Sequence, residues 1–201
     1  RAGHDMVPHA HRLASDPSPQ VRREVALSLR DLPARTTAKI FTDLARHCDT
    51  TDKNSLEAIG LGAANQESEI WTAIRAALKP GSPEKWSEDF TRLTWRLWGA
   101  ASIEDLKTRA LDRSLPLDER KFAVESLAFI DDARAAEAMI DLAREGSPVK
   151  GEATAWLLRN LPGEWSQYDL ARRLAEEGIF DPRSITVAAA PVPAPQKPTP
   201  L

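Results

Sequence analysis

The chain has 201 residues, of which 42% are hydrophobic and 28% charged, a composition typical of a soluble folded protein. Its net charge is −3 and its pI about 5.9, which argues against a nucleic-acid-binding surface. No run of about 18 apolar residues is present, so we expect no membrane insertion. The single cysteine, Cys48, excludes an internal disulfide and any multi-cysteine metal site.

Apolar residues recur at helical spacing along the chain, as at Val21, Val25, Leu29 and Leu32. This pattern predicts an all-α protein, and an alternating run that could form a strand occurs only at 185–187. Short loops between the helices predict antiparallel hairpins. The predicted helices span residues 7–15, 19–31, 34–47, 52–64, 67–78, 83–98, 102–111, 116–130, 132–145, 148–160 and 166–177.

Helix-start signals recur with a period of about 32 residues. The pair Ser-Pro occurs at Ser18-Pro19, Ser82-Pro83 and Ser147-Pro148, and the intervals are bisected by Thr51-Asp52 and by Pro116. Serine can accept the free N–H groups of a first helical turn, and proline fits the first helical position. We therefore expect serine-capped helices at these points.

The periodic signals predict a stack of about five helical hairpins in residues 1–180, each burying its apolar face against the next. Segments 18–33 and 147–162 are identical at seven of sixteen positions. We expect residues 181–201, which are rich in proline and alanine, to form a linker. A linker implies a further domain beyond it. The expected hairpins are 7–31, 34–64, 67–98, 102–130 and 132–160, and 166–177 opens a sixth.

The segment from Asp16 to Leu29 resembles the second helix of a HEAT repeat, with its Asp-Pro turn, a Val-Arg pair at Val21-Arg22, and small and leucine residues after it. The fifth hairpin departs from the pattern, because Lys150 and Gly151 stand at the Val-Arg positions. The resemblance implies a right-handed α-solenoid, an armadillo-like helical scaffold that binds protein.

A narrower resemblance is carried by the runs VRREVALSLRDLP, LEAIGLGA, EKWSEDFTRLTWRLW and SLAFIDD. They are similar to the HEAT region of large exported proteins of planctomycete-type bacteria, where that region lies between a dehydrogenase-like propeller and a c-type cytochrome domain. The resemblance implies a spacer in a periplasmic or exported redox protein. It transfers no haem ligand, because this chain has no Cys-x-x-Cys-His, and we expect no cofactor.

Five residues are candidates for partner binding on the second helix of each hairpin: Arg30, Arg92, Trp95, Trp98 and Arg159. Tryptophan and arginine are enriched at the energetic centres of protein interfaces. The alternative is a buried role between hairpins, with Arg92 stacked on a tryptophan ring. Both interpretations stay open at this point.

No catalytic or metal site is expected. His4, His9 and His11 cluster near the start, but they share no fixed helical face. His47 and Cys48 are adjacent on a helix, so their side chains diverge by about 100°. Gly60 and Gly62, inside the fourth helix, are expected to permit close packing of a neighbouring helix. Arg22, Arg23 and Arg30 are expected to take part in a ladder of salt bridges between hairpins, with a ligand site as the alternative.

These observations favour a non-catalytic protein-interaction or spacer module that contacts flanking domains or another subunit. The alternative is a DNA-binding protein of the helical-repeat DNA glycosylase kind, which the acidic charge balance opposes. A helical-repeat lyase or isomerase of the bilin type is a third hypothesis, with no convergent acid–base pair to support it.

Overall fold

The computed structural model describes residues 6–182, and every regular element in this range is helical, with no strand. Each of the eleven predicted helices has a counterpart among the described residues, although several begin later or end earlier than predicted. The observed helices are α1 (Val7–Leu13), α2 (Pro19–Ser28), α3 (Ala34–Arg46), α4 (Lys53–Gly62), α5 (Glu67–Leu78), α6 (Glu88–Leu97), α7 (Ile103–Leu111), α8 (Leu117–Ala128), α9 (Ala133–Ala143), α10 (Lys150–Asn160) and α11 (Leu170–Glu176). The run at 185–187 and nearly all of the expected linker lie outside the described residues.

The predicted helix over 83–98 is wrong in its first turn. Residues Pro83–Lys85 form a 3₁₀ turn, and Trp86 then adopts an extended conformation with ψ 136°. The α-helix begins only at Glu88, where the Ser87 hydroxyl accepts a hydrogen bond from the Phe90 N–H. The chain breaks here because Ser87 acts as an N-cap rather than as an interior residue.

The Ser-Pro pairs mark the turns, but their serines do not cap as expected. The Ser18 hydroxyl donates to Gln20 Oε1 at 3.0 Å, although Ser18 stands at the N-cap position of α2. Ser147 lies before α10, which begins only at Lys150. Side-chain caps come instead from Asp52, Ser87 and Asp132. At Asp52 and Asp132 the negative charge of the carboxylate also interacts favourably with the helix dipole.

The helices pack both on their chain neighbours and on the helix two positions along. Contacts two positions along dominate between α2 and α4 and between α3 and α5, whereas α7 packs mainly on α8 and α9 mainly on α10. The even-numbered helices contact one another in the series α2, α4, α6, α8 and α10. Among the odd-numbered helices, α1 contacts α3, α3 contacts α5, and α7 contacts α9, while α5 reaches α7 through the 3₁₀ turn Ala100–Ser102. Helices consecutive in the chain also touch, so each hairpin lies against the next one.

One hydrophobic core runs continuously through the described residues. Among its fully buried side chains are Leu29, Ile40, Ile74, Leu97 and Leu127, spread from the first hairpin to the fourth. Burial of each such side chain stabilises the fold by roughly 1.5–3 kcal/mol. The core is therefore shared between neighbouring hairpins and is not confined to any one of them.

Side-chain amides connect successive hairpins. Gln66 Nε2 donates to the carbonyl of Leu32, 34 residues earlier, at 2.8 Å. Asn160 Nδ2 donates to the carbonyl of Ala128, 32 residues earlier, also at 2.8 Å. Ala128 is the last residue of α8, where no intrahelical donor is left, and Leu32 lies in the loop between α2 and α3.

Ion pairs connect the same hairpins. Arg23 takes part as expected, with its Nη1 atom 3.0 Å from Asp52 Oδ2. Arg22 does not, because it donates to the backbone carbonyls of Asp16 and Pro17 within its own hairpin. Further pairs between neighbouring hairpins are Arg75–Asp105, Lys107–Asp141 and Arg144–Glu177.

The two helices α2 and α4 approach closely at Gly62. A Cβ atom at this position would lie 2.1 Å from the backbone oxygen of Ala26, so only glycine fits. The expectation that Gly62 permits close packing is confirmed. None of the helices within residues 6–182 combines the length and the apolarity needed to cross a lipid bilayer.

Candidate functional site: an aromatic cluster on the even-numbered helices

Four of the five candidate partner-binding residues lie on one series of helices. Arg92 and Trp95 belong to α6, Trp98 follows its last turn, and Arg159 belongs to α10. Arg30 lies just after α2, which packs on α4 rather than on α6. Its side chain has no hydrogen-bond or ion-pair partner among residues 6–182. The structure therefore separates Arg30 from the other four.

Trp95 and Trp98 are members of an aromatic cluster that joins α6, α8 and α10. Ring centroids are 6.0 Å apart between Trp95 and Phe122, and 5.6 Å apart between Trp98 and Phe129, both in stacked geometry. Phe129 also meets Trp156 at 5.6 Å in an edge-to-face contact. Such pairs each contribute about 0.5–1.5 kcal/mol beyond burial. We call Trp95, Trp98, Phe122, Phe129 and Trp156 the aromatic cluster.

The cluster is neither fully buried nor fully exposed. Trp95, Trp98, Phe122 and Phe129 are half-buried, whereas Trp156 retains only 8% of its exposure. The sequence left open whether the tryptophans serve the core or a surface, and the structure places them at the boundary between the two. A row of half-buried aromatic rings leaves apolar area in contact with water, which a partner could cover.

Arginines cover two rings of the cluster. The guanidinium of Arg96 lies 4.8 Å from the Trp98 ring centroid, and that of Arg159 lies 4.8 Å from the Trp156 ring. The expected stacking of Arg92 is not found, because Arg92 pairs with Glu88 one helical turn earlier. Arg159 is exposed, so its charge is available to a partner, and its aliphatic stem shields the indole.

Arg96 is almost fully buried, with 3% of its surface exposed. Its Nε atom lies 2.9 Å from Glu57 Oε2 on α4, so the pair connects two helices of the even-numbered series. A buried guanidinium requires such a partner, because an isolated charge in an apolar environment is very costly. Arg96 is thus fixed by Glu57 and packs on the buried side of the Trp98 ring.

Glu125 is the titratable group at the centre of this surface. Burial raises its pKa, the neighbouring Glu152 carboxylate raises it further, and the Trp95 indole N–H and the Arg159 guanidinium oppose the rise. Glu125 lies on α8 between the elements that carry Trp95 and Arg159.

A groove opens beside the cluster, at the N-terminal ends of α6 and α8. Its volume is about 490 Å³, and its aromatic walls are Trp86 and Phe122. Phe122 is shared with the aromatic cluster. We call this the α6–α8 groove, and its charged residues are Glu88, Arg92, Arg109, Asp118 and Glu119.

Two hydrogen-bond donors in the groove wall have no acceptor. Arg109 Nη1 donates to the Pro83 carbonyl at 2.6 Å and Nη2 pairs with Glu119, but its Nε atom has no partner. The Trp86 indole N–H also lacks one, although Trp86 and Arg109 are 5% and 2% exposed. A buried donor without an acceptor costs about 1–3 kcal/mol. Burial lowers the pKa of Arg109, which nevertheless stays charged.

The described histidines and the cysteine have different surroundings. His9 lies near Arg12, and His11 Nδ1 is 3.9 Å from Asp43, while His4 lies outside the described residues. No group of three His, Cys, Asp or Glu side chains within residues 6–182 could hold a metal ion. Burial raises the pKa of the Cys48 thiol to about 12, so the thiolate form is rare at neutral pH.

Several residues of the surface were not found from the sequence. Phe129 follows Trp98 by one repeat length, and this spacing is a signal that could have identified it. Phe122 and Trp156 lie on the same faces of α8 and α10 as other buried residues and are indistinguishable from core. Arg96 and Arg109 carry no burial signal, because a charged residue within a helix normally faces water.

The even-numbered helices therefore present half-buried aromatic rings, an exposed arginine, and an adjoining groove with unpartnered donors. No protein-family model, no curated protein and no solved structure matches this chain.

Proposed function

We propose that the chain is a protein-interaction module whose binding surface is the aromatic cluster with Arg159. The observation that carries the proposal is the arrangement of half-buried rings across three successive even-numbered helices. Tryptophan and arginine provide most of the binding energy in many protein interfaces. A partner that covers these rings would bury apolar area now in contact with water.

We also propose that the hairpins form a right-handed α-solenoid of the HEAT type. This is supported by the contacts that run along the even-numbered helices from α2 to α10, by the packing of α7 on α8 and of α9 on α10 within hairpins, and by hydrogen bonds between side chain and backbone at separations of 34 and 32 residues. These separations equal one period of the helix-start signals in the sequence. In a stack of this kind each unit contacts only its neighbours, and one series of helices lines a continuous surface.

The partner of this surface is a protein, either a flanking domain of the same polypeptide or another subunit. The surface combines flat rings with an exposed cation at Arg159 and a carboxyl of raised pKa at Glu125. It offers no cluster of basic side chains to neutralise successive phosphates, which nucleic-acid binding requires. The proposal assigns no catalytic residue to the chain.

The parent polypeptide is, in this proposal, an exported or periplasmic redox protein that carries haem in another domain. The resemblance to planctomycete-type exported proteins supports this part. A Cys-x-x-Cys-His motif in the polypeptide beyond residue 201 would support it further. A cytoplasmic enzyme domain at that position would contradict it.

The test is calorimetric titration of the chain with each separately expressed neighbouring domain of the parent polypeptide. We expect Arg159→Glu to weaken binding at least tenfold, because it replaces the positive charge near Glu125 by a negative one and uncovers the Trp156 ring. The matched control is Arg134→Glu, which reverses an exposed arginine on α9, outside the even-numbered series. This control should leave the affinity unchanged.

Two results would contradict the proposal. Equal weakening by Arg134→Glu would place the interface elsewhere, and the absence of binding to any neighbouring domain would leave passive spacing as the role. Binding to duplex DNA with a steep salt dependence would instead favour the DNA glycosylase-like alternative.

A further inference from the structure

We infer that the α6–α8 groove is the docking site of this chain's own proline-rich segment, residues 191–200 with the sequence PVPAPQKPTP. The inference does not depend on the proposed function, because the segment can occupy the groove whether or not the aromatic cluster binds another protein.

The first argument is complementarity of hydrogen-bonding groups. Trp86 Nε1 and Arg109 Nε are donors without acceptors, and both residues line the groove. The segment contains five prolines, each of which has a carbonyl acceptor but no N–H donor. It therefore carries an excess of acceptors where the groove carries an excess of donors. The two donors are shielded from water, so side chains of the groove wall must change rotamer as the segment enters.

The second argument is the aromatic walls. Trp86 and Phe122 border the groove, and proline-rich segments in the polyproline II conformation dock in grooves lined by aromatic rings. The ordering cost of such a segment is low, because proline restricts the chain before it binds.

The third argument is charge. Three carboxylates and two guanidinium groups border the groove, and Asp118 is the carboxylate that has no ion-pair partner among the described residues. The side chains of residues 183–201 include Arg183 and Lys197 but no Asp or Glu. Lys197 lies within the proline-rich segment, and we assign Asp118 as its partner.

The connection is long enough. Eight residues lie between Pro182, the last described residue, and position 191, and the nine residue steps span about 30 Å when the chain is extended. Neighbouring packed helices lie about 8–10 Å apart. Pro182 follows α11, which pairs with α9 through Arg173 and Glu137, and α9 packs on both α7 and α8. The groove is therefore about two helix spacings from α11, within the span of the connection.

The experiment is paramagnetic relaxation enhancement on the full chain with a nitroxide at Thr199→Cys. Cys48 should not react, because its thiol is largely buried and its pKa is raised to about 12, and labelling of the unsubstituted chain checks this. We expect selective loss of amide signal at the starts of α6 and α8. Signals of α2 and α3 should keep their full intensity.

Charge reversal makes the test specific. We expect Asp118→Lys, and separately Lys197→Glu, to abolish the selective signal loss, and the combination of both to restore it. Glu24→Lys is the matched control, since Glu24 is exposed on α2 and has no ion-pair partner among the described residues; it should have no effect. Asp118 is exposed, and circular dichroism verifies that its variants are folded.

Three results would overturn the inference. One is uniform signal loss, or none, in the labelled native chain. Another is signal loss that Asp118→Lys leaves unchanged. The third comes from mixing an isotope-labelled chain with a nitroxide-labelled chain: selective loss that appears only in the mixture would assign the segment to a second molecule.

Discussion

The guanidinium of Arg96 occupies the space in which a side chain at Gly60 would lie. A Cβ atom at Gly60 would be 1.9 Å from Arg96 Nη1, so the absence of a side chain on α4 makes room for a buried charge from α6. The same guanidinium pairs with Glu57 and covers the Trp98 ring. Gly60 therefore allows Arg96 to reach both Glu57 and the Trp98 ring. This is the close packing that the sequence predicted at this glycine.

We predict that Gly60→Ala destabilises the fold by about 2–4 kcal/mol. Breaking a buried ion pair costs about 3–5 kcal/mol, and replacing glycine by alanine within a helix returns about 1 kcal/mol. Urea denaturation with an unchanged m-value measures the difference. In an Arg96→Ala background the sign should reverse, and Gly60→Ala should stabilise by about 1 kcal/mol. The same destabilisation in both backgrounds would show that Arg96 is not the cause.

Gly62 and Gly151 form a matched pair for a second prediction. Gly62→Ala places a methyl group 2.1 Å from the Ala26 carbonyl oxygen, and because that atom is backbone, α2 must move away from α4. No atom lies within 4 Å of the corresponding position at Gly151, which is exposed on α10. We expect Gly62→Ala to destabilise the fold by at least about 2 kcal/mol. Overpacking typically costs about 1–3 kcal/mol, and the contact here is with backbone, which cannot move aside as a side chain can. Gly151→Ala should stabilise by about 0.5–1 kcal/mol. Thermal or urea denaturation of the two variants compares them, and equal effects would refute the close approach of α2 and α4.

The pKa of Glu125 predicts a pH dependence. Because folding raises this pKa above the ordinary value of 4.5, the folded chain binds a proton more readily than the unfolded chain. Its contribution to stability is therefore complete below pH 4.5 and is lost as the pH rises through the folded-state pKa. Glu125→Gln removes this loss. We expect the variant to melt at a higher temperature than the native chain at pH 7, with a smaller difference at pH 4. Calorimetric melting of both chains across this range measures it, and a difference that is constant with pH would contradict the raised pKa.

The thiol of Cys48 should be unreactive in the folded chain. Its pKa of about 12 results from burial and from the nearby Asp49 carboxylate, so very little thiolate exists at pH 8. We expect reaction with a disulfide reagent only after unfolding in guanidinium chloride, when the pKa returns to its ordinary range. Full reaction of the native chain within the time taken by the denatured chain would show that the site is open.

The sequence predicted the helices because apolar periodicity survives in every one of them. It did not predict the break before α6, because Trp86 continues the apolar stripe that Phe90 and Leu93 also follow. A serine before an acidic pair is also an N-cap signal, but the Ser-Pro pair five residues earlier competes with it. Two helix-start signals within one turn and a half cannot be ranked without knowledge of the packing.

The site was predicted less completely than the helices. Tryptophan and arginine at helical spacing identified Trp95, Trp98 and Arg159, which lie on the same surface. The burial of Arg96 depends on Glu57, whose position is 39 residues away, and on Gly60 beneath the guanidinium. Such contacts between distant residues leave no local pattern. Arg30 was grouped with the others by its position in a hairpin, but distance along the stack separates it from them.

The amides of Gln66 and Asn160 have a mechanical consequence. Each amide holds a carbonyl at or after the end of a helix in the preceding hairpin. Sliding one hairpin past another by a helical turn of about 5.4 Å would strip these carbonyls of their donors and leave no replacement nearby. Shear between hairpins is therefore resisted at the helix ends, whereas a small change of tilt can keep both bonds. Under a stretching force we therefore expect neighbouring hairpins to change their tilt before they slide past one another.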